Sequence, residues 1–243
     1  MSIKNDLNKF TPRQQQEDAL NYIKNVLEKK PDNKFFLLNI PTGIGKSHLA
    51  VMISDYVTAK IMPGAKVDII TAGKILQDQY EGTYDSIKSL KGKNNYECAQ
   101  YACSCENGKE FNRLNKSKCD FCPYDMAKNG YIASEVSLTN FHLYLINAVY
   151  GLSIMKDRDS RLLIVDECDL FDDVMSDFIS IKITETIIKK FHFTNEMEII
   201  DNLKNVVNIE TYIEFLRYFL KIQFTRKTRF FKKSFFSLIK NEI

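Results

Sequence analysis

The feature that most constrains the fold of this chain is a glycine-bearing turn at residues 39–47, which ends in Gly-Lys-Ser. The apolar run Phe35-Phe36-Leu37-Leu38 comes before it and predicts a short buried strand, and residues 48–58 predict a helix. In such a strand–turn–helix unit, the backbone N–H groups of the turn and of the helix N-terminus point at phosphate oxygens. The segment therefore predicts a phosphate-binding loop, although Ile40 stands where the usual pattern has its first glycine.

The candidate nucleotide ligands in this loop are Thr42, Gly43, Gly45, Lys46 and Ser47. Lys46 is expected to reach the β- and γ-phosphates of ATP, and Ser47 is expected to hold Mg²⁺. The alternative is an ordinary strand–turn–helix in which Lys46 only faces solvent.

A second apolar strand, predicted at residues 162–165, ends in Asp166-Glu167-Cys168-Asp169. A carboxylate at the C-terminal end of a parallel strand lies where open α/β sheets bind their ligands. We expect Asp166 to hold Mg²⁺ and Glu167 to orient or deprotonate the attacking water, because phosphoryl transfer depends on positioning and charge neutralisation. Asp169 alternatively caps the next helix, and both roles are compatible.

Strand and helix patterns alternate along the first two thirds of the chain. Further strands are predicted at 67–71 and 135–139, and helices at 12–30, 74–90, 123–131 and 141–150, with Thr11 as cap of the first helix. After Asp169 the pattern is helical, at 171–175, 184–191, 196–206 and 211–222. Alternation of this kind predicts an α/β fold with a parallel sheet and helices on both faces.

Composition limits the classes of function. The chain is 44% hydrophobic, it contains no apolar run long enough to span a membrane, and its polar first ten residues lack the apolar core of a signal peptide, so we expect a cytoplasmic protein. Residues 221–243 carry seven Lys/Arg and one acid, whereas the rest carries 27 basic and 30 acidic residues. The body is therefore not a general polyanion binder. The basic stretch at 226–233 is either a nucleic-acid contact or a solvated end.

Five of the six cysteines lie within 25 residues, at positions 98, 103, 105, 119 and 122. Disulfides are rare in the cytosol, so this spacing indicates a metal site. Four thiolates suit either zinc or an iron–sulfur cluster, and the spacing alone does not separate the two. Five free thiols in a polar loop are the alternative.

Together these segments resemble the N-terminal part of superfamily 2 DNA helicases of the XPD/DinG (Rad3-like) iron–sulfur group. Three segments resemble nucleotide-binding motifs: 12–16, with Gln16 at the adenine-reading position of the Q motif, 41–47 for Walker A, and 166–169 for the DEAH box. Residues 70–79 resemble motif Ia, and 138–141 resemble the segment before motif II. Residues 95–98 and 122–124 resemble the two ends of the iron–sulfur domain. The resemblance implies an iron–sulfur cluster, rather than zinc, held by Cys98, Cys105, Cys119 and Cys122, with Cys103 as the substitute for Cys105. It also implies that single-stranded DNA contacts Thr71, Lys74 and Gln77, with Lys91 and Lys93 nearby.

The resemblance implies a domain order as well. It gives a first RecA-like domain at 1–90 and 131–175, a cysteine-rich insertion at 91–130, and the start of a helical Arch-like domain at 176–243. No motif III and no Gln-x-x-Gly-Arg-x-x-Arg motif occurs in the sequence. We therefore expect the ATP-binding motor half of a helicase, truncated or split, that hydrolyses ATP only with a second RecA-like domain from a separate chain. The alternatives are a non-catalytic nucleotide- and metal-binding adaptor, and a P-loop kinase with structural zinc.

Overall fold

Parallel strands form the centre of the computed structural model, which describes residues 3–30, 35–117, 119, 121–149 and 153–179. The strands are β1 Lys66–Thr71, β2 Lys88–Leu90, β3 Val136–Asn140 and β4 Ser160–Val165. They pair in the order β2-β3-β1-β4, and every pairing is parallel. Each parallel pair needs a crossover, and helices between the strands supply it. The predicted α/β fold with a parallel sheet is confirmed.

Helices precede, connect and follow these strands. They are α1 Ile3–Leu7, α2 Gln14–Lys29, α3 Lys46–Tyr56, α4 Lys74–Thr83, α5 Cys105–Leu114, α6 Pro123–Ala133, α7 Phe141–Val149, α8 Ser153–Arg158 and α9 Phe171–Ile179. A π-helical turn at Val57–Ile61 continues α3, and 3₁₀ turns occur at Lys93–Asn95 and Cys168–Leu170. No helix among the described residues is long and apolar enough to cross a membrane.

The main core lies around β1, the strand between β3 and β4. Val67 and Ile69 of β1 have no exposed surface, and they pack with Val51 of α3, Tyr80 of α4 and Leu138 of β3. Apolar side chains fill both sides of this strand because helices cover both faces of the sheet, as in other parallel sheets. The sheet therefore holds the loops at its carboxyl edge in fixed positions.

The predicted strand at 35–38 is not part of the sheet that the structure describes. Residues 35–40 carry no strand pairing there, and the side chains of Phe35 and Leu37 are 88% and 84% exposed. Among the described strands, β4 pairs only with β1. An apolar run becomes a strand only when a neighbouring strand accepts its backbone hydrogen bonds, and sequence pattern does not reveal whether one is there.

Two other predicted boundaries were wrong. The helix predicted at 74–90 ends at Thr83, and 88–90 forms β2, because Ser89 pairs with Leu138 of β3 and long-range pairing overrides the helical pattern. The first long helix begins at Gln14 with Arg13 as its cap, so Thr11 is not the cap.

The chain divides into two units, Met1–Phe178 and Ile179–Ile243. The helices predicted at 184–191, 196–206 and 211–222 lie outside the described residues, as does the basic stretch at 226–233.

Candidate nucleotide-binding site

The phosphate-loop candidate is a tight turn that leads into α3. Gly43 and Gly45 have φ values of +83° and +88°, in the left-handed region that residues with a Cβ adopt only with strain. Nothing lies within 4 Å of the position that a Cβ on Gly43 would take, so this face of the turn is open. Thr42 and Lys46 are exposed there, and α3 begins at Lys46. The turn thus presents an open surface at a helix N-terminus, as phosphate binding requires.

Gln16, the candidate adenine reader, is buried and holds this turn from behind. Its amide nitrogen donates to the carbonyl oxygens of Ile44 and Gly45, both at 2.9 Å, and its amide oxygen accepts the backbone N–H of Arg13 at 2.8 Å. The Arg13 guanidinium also donates to the carbonyl of Gly43. Both amide hydrogens of Gln16 are therefore used by the loop in this structure, so Gln16 acts directly on the shape of the loop.

Gly45 has a second reason to be glycine. A Cβ at this position would lie 2.7 Å from the amide nitrogen of Gln16, too close for two non-bonded atoms. The start of α2 and the phosphate loop are thus packed without room for a side chain at Gly45.

The acidic strand end meets the phosphate loop. The backbone N–H of Asp166 donates to the carbonyl of Ile70 at 2.9 Å, which continues the β1–β4 ladder by one residue. The hydroxyl of Ser47 donates to Oδ2 of Asp166 across 3.4 Å, although the two residues are 119 positions apart. A hydroxyl and a carboxylate side by side are hard oxygen ligands, so this pair fits Mg²⁺.

Tyr80 belongs to the same cluster, and sequence reasoning missed it. Its hydroxyl donates to Oδ2 of Asp166 at 2.9 Å, and the side chain is almost completely buried. Burial, followed by the negative charge of Asp166, raises the pKa of Tyr80 well above its usual value, so the hydroxyl stays protonated. In the sequence, Tyr80 is only one apolar position of the helix after β1.

Glu167, the candidate for orienting water, has an unusual backbone. Its φ is +58°, which is uncommon for a residue with a Cβ, and it directly precedes the 3₁₀ turn that starts at Cys168. Such conformations cost about 1–3 kcal/mol and cluster at functional sites. The residue as a whole is half-buried. Asp169 lies inside the 3₁₀ turn, so it is not the cap of α9.

The candidate DNA contacts after β1 differ in accessibility. Thr71 and Gln77 have no exposed surface. The amide of Gln77 contacts the hydroxyl of Ser89, the carbonyl of Leu90 and the amide of Asn140. These two side chains therefore cannot contact a DNA strand that lies on the protein surface.

The lysines near this segment also differ. Lys74, the first residue of α4, is exposed. Lys91 forms ion pairs with Asp78 and Glu81, both at 2.6 Å. Lys93 lies over the ring of Tyr124, and its pKa is lowered by burial first and then by a neighbouring lysine. Lys74 is thus the candidate whose charge is best placed to meet a phosphate.

The cysteine-rich segment folds back on itself. The backbone N–H of Cys98 donates to the carbonyl of Cys103 at 2.8 Å, and that of Cys105 donates to the carbonyl of Tyr96 at 2.8 Å. Cys105 begins α5, and Cys122 directly precedes α6. A Cβ on Gly108 of α5 would lie 2.5 Å from the sulfur of Cys98, so the helix passes directly beside this thiol.

The thiols of this segment influence each other. The thiol of Cys98 interacts with those of Cys103 and Cys119, and the thiol of Cys105 interacts with that of Cys122. A backbone N–H of Gln100 is the largest cause of the lowered pKa of Cys98, whereas burial raises the pKa of Cys105. The fold therefore brings the five cysteines of the cluster together.

The structure does not, however, form a metal cage from them. Within the described residues, no group of three or more His, Cys, Asp or Glu side chains is arranged to hold a metal ion. Thiolates are soft donors that suit zinc or iron–sulfur clusters, so the donor chemistry fits while the arrangement does not. The expected iron–sulfur cluster is not supported by this geometry.

Comparisons with known proteins agree with the motor-domain geometry. Residues 9–169, more than half of the chain, match the family of the type III restriction enzyme, res subunit. A stretch of 140 residues, 56% of the chain, is 29% identical to a reverse gyrase of Methanocaldococcus jannaschii. The chain spans 8% of the length of that relative. The family match covers the parallel sheet, the phosphate loop and the acidic strand end, and the chain therefore belongs to the type III restriction enzyme res-subunit family, a helicase superfamily 2 family.

Proposed function

We propose that this chain is the ATP-binding motor half of an ATP-dependent DNA helicase of the XPD/DinG-like group, which binds single-stranded DNA and hydrolyses ATP together with a second RecA-like domain. The observation that carries the proposal is the meeting of Ser47 and Asp166 at 3.4 Å. It joins an open glycine turn at a helix N-terminus to a carboxylate at the end of a parallel strand. Membership of the res-subunit family supports the helicase class.

Each residue of the site has a distinct task in this proposal. The backbone N–H groups of the 42–47 turn bind phosphate oxygens, and Lys46 pairs with the β- and γ-phosphates. Ser47 and Asp166 hold Mg²⁺, which neutralises phosphate charge when it is bound with ATP. Glu167 orients the attacking water. Gln16 and Arg13 keep the turn in its binding shape through their bonds to its carbonyl groups.

The proposal includes a second RecA-like domain because phosphoryl transfer is accelerated by a positive charge, that of an arginine finger, placed next to the phosphates. Arginine fingers raise the rate of phosphoryl transfer by about 10³ to 10⁵ in related enzymes. The 243 residues of this chain include no Gln-x-x-Gly-Arg-x-x-Arg motif to supply one. In the proposal, a separate chain or a further domain provides the arginine, and without it hydrolysis is slow and unwinding is absent.

Single-stranded DNA is the proposed nucleic-acid partner. The similarity to a reverse gyrase supports a nucleic-acid substrate. Lys74 is the proposed phosphate contact, because its side chain is exposed at the first residue of α4. Thr71 and Gln77 are both buried, so in the proposal they support α4 and do not contact the DNA strand. Few phosphates are engaged, so binding is weak, and it weakens further as the salt concentration rises because each phosphate contact releases counterions.

The proposed domain order is a RecA-like domain at 1–90 and 131–175, a cysteine-rich insertion at 91–130, and the start of an Arch-like domain at 176–243. Cys98, Cys105, Cys119 and Cys122 are the proposed ligands of an iron–sulfur cluster, with zinc as the alternative metal. The mutual proximity of these thiols supports the proposal. Binding of the metal would require the thiols to rearrange, because their present arrangement does not form a cage.

Fluorescence anisotropy with a labelled oligonucleotide tests the DNA part. We expect single strands to bind more tightly than duplex and binding to weaken between about 50 and 200 mM salt, with a slope set by the small number of phosphates contacted. Lys74→Ala should lower the affinity and reduce the salt slope by about one, as expected for a lysine that contacts a phosphate. Lys60→Ala removes another exposed lysine of the same domain and serves as the control. Salt-independent binding, or equal effects of the two substitutions, would contradict the proposal.

A further inference from the structure

The hydroxyl of Tyr80 is placed to act on the nucleotide site through Asp166. Tyr80 lies on α4, and its ring packs in the main core with Val51 and Ile69. Only its hydroxyl reaches the edge of the core, where it donates to Oδ2 of Asp166 at 2.9 Å. The ring is therefore explained by packing, whereas the hydroxyl is explained by its polar neighbours at the site, the carboxylate of Asp166 and the hydroxyl of Ser47.

The backbone of Asp166 is held by the sheet, whereas its side chain is held by hydroxyl groups. The backbone N–H bonds to Ile70 and fixes the Cα position. Rotation of the carboxylate is restrained by Tyr80 at 2.9 Å and by Ser47 at 3.4 Å, and both hydroxyls donate to Oδ2. The bond from Tyr80 is the shorter of the two, and it comes from a rigid, buried side chain.

We propose that Tyr80 is a positioning residue for the Mg²⁺ ion of the nucleotide, because its hydroxyl fixes the Asp166 carboxylate beside Ser47 before the ion binds. The inference rests on the proposed function, since it requires a nucleotide site. A side chain held in its binding rotamer loses no further conformational entropy when the ion arrives. Removing such a supporting hydrogen bond typically lowers metal affinity by about 10- to 100-fold.

The same protein contains a matched control for the substitution. Tyr131 is also a buried tyrosine whose hydroxyl donates to a buried carboxylate, that of Asp68, at 2.9 Å. Asp68 lies in the middle of β1 and pairs with Arg158, so it belongs to the core and not to the site. Tyr131→Phe and Tyr80→Phe therefore remove the same kind of bond, but only Tyr80→Phe acts on a proposed Mg²⁺ ligand.

The experiment is a Mg²⁺ titration of the binding of a fluorescent ATP analogue by the full chain. For Tyr80→Phe, we expect the Mg²⁺ concentration at half-saturation to rise about tenfold or more, while affinity in excess EDTA stays unchanged. Tyr131→Phe should shift the Mg²⁺ midpoint less than twofold, even though it lowers the melting temperature. In the background of Asp166→Asn, Tyr80→Phe should have no further effect on the midpoint.

Three outcomes would overturn the inference. The first is a Mg²⁺ midpoint of Tyr80→Phe within twofold of the parent. The second is an equal loss of affinity with and without Mg²⁺, which would make the role of the hydroxyl purely structural. The third is a parent chain that binds no nucleotide under any condition, which would refute the proposed function itself. If Tyr80→Phe does not fold in buffer alone, the titration of parent and variant is repeated in a stabilising osmolyte such as sucrose, and the same shift is expected.

Discussion

Arg158 is the side chain whose removal should destabilise the domain most. It has no exposed surface, and its Nε donates to Oδ1 of Asp68 at 2.5 Å. Its terminal nitrogens donate to the carbonyl oxygens of Tyr131 at 2.5 Å, Ser134 at 2.7 Å and Val67 at 2.7 Å. One guanidinium thus joins α8, the end of α6, the loop before β3 and the start of β1.

The expected magnitude follows from what Arg158→Met leaves behind. Asp68 would stay buried without its cation, and breaking a buried ion pair by removing one partner costs about 3–5 kcal/mol. Tyr131 would still donate to Asp68, which offsets part of this cost. Five carbonyl groups also lose a donor, those of Val67, Tyr131, Ile132, Ser134 and Glu135. The groups of Tyr131, Ile132 and Glu135 keep another donor, so only a buried carbonyl left without one adds its cost of about 1–3 kcal/mol. We therefore expect a loss of about 4 kcal/mol or more, a large share of the 5–15 kcal/mol of a typical domain.

Urea unfolding followed by circular dichroism measures this loss. With a slope of about 2 kcal/mol per M, the midpoint of Arg158→Met should fall by about 2 M, or the variant should be unfolded without urea. Arg161→Met is the control, because Arg161 forms an exposed ion pair with Asp159 and such pairs contribute about 0–1 kcal/mol. If Arg158→Met loses less than about 1 kcal/mol, the guanidinium is not the structural link that its bonds indicate.

Three further predictions concern the loop, acid stability and the cysteines. Gln16→Ala removes two hydrogen bonds to the glycine loop, so in binding titrations it should weaken the affinity for ATP and for inorganic triphosphate alike. A loss of affinity for ATP alone would show that Gln16 recognises the adenine base instead. Burial alone would raise the pKa of Asp6, but bonds from Ser86 and Lys9 outweigh it and hold the pKa at about 2, below its ordinary value of 3.8. Its contribution to stability should therefore be complete above pH 3.8 and be lost as the pH falls through about 2, and the Asp6→Asn variant should lack this part of the acid transition in thermal melts. In metal analysis of anaerobically purified protein, single serine variants of Cys98, Cys105, Cys119 and Cys122 should lose bound iron or zinc and that of Cys103 should keep it; retention in every variant would discard the metal site.

The sequence pattern predicts those parts of the fold that depend on local order. β1, β3 and β4 are each predicted within a few residues because they are short apolar runs between helical segments. The glycine turn before α3 is predictable because Gly43, Gly45 and Lys46 have a fixed spacing that follows from the geometry of the turn. The place of Asp166 beside Ser47 is also predictable, since a carboxylate at the end of a parallel strand lies at the ligand-binding edge of the sheet.

Features that depend on long-range partners are not predictable in this way. Phe35 lies in an apolar run, yet whether that run becomes a strand depends on a neighbouring strand. Tyr80 and Arg158 carry no local signal, because their partners are 86 and 90 residues away. Gln77 matches a motif, but its burial against Ser89 and Leu90 depends on β2, which the helical pattern conceals.

The most direct test of the nucleotide site is equilibrium binding of ATP to the full chain and to Lys46→Ala in the presence of Mg²⁺. Lys46 is exposed at the open turn, and a charged hydrogen bond to phosphate is worth about 1.5–3 kcal/mol, so the variant should bind about 10- to 100-fold more weakly. Lys60→Ala, at an exposed position beyond α3, should bind as the parent does. Equal affinity of Lys46→Ala and the parent would contradict the assignment of the nucleotide site.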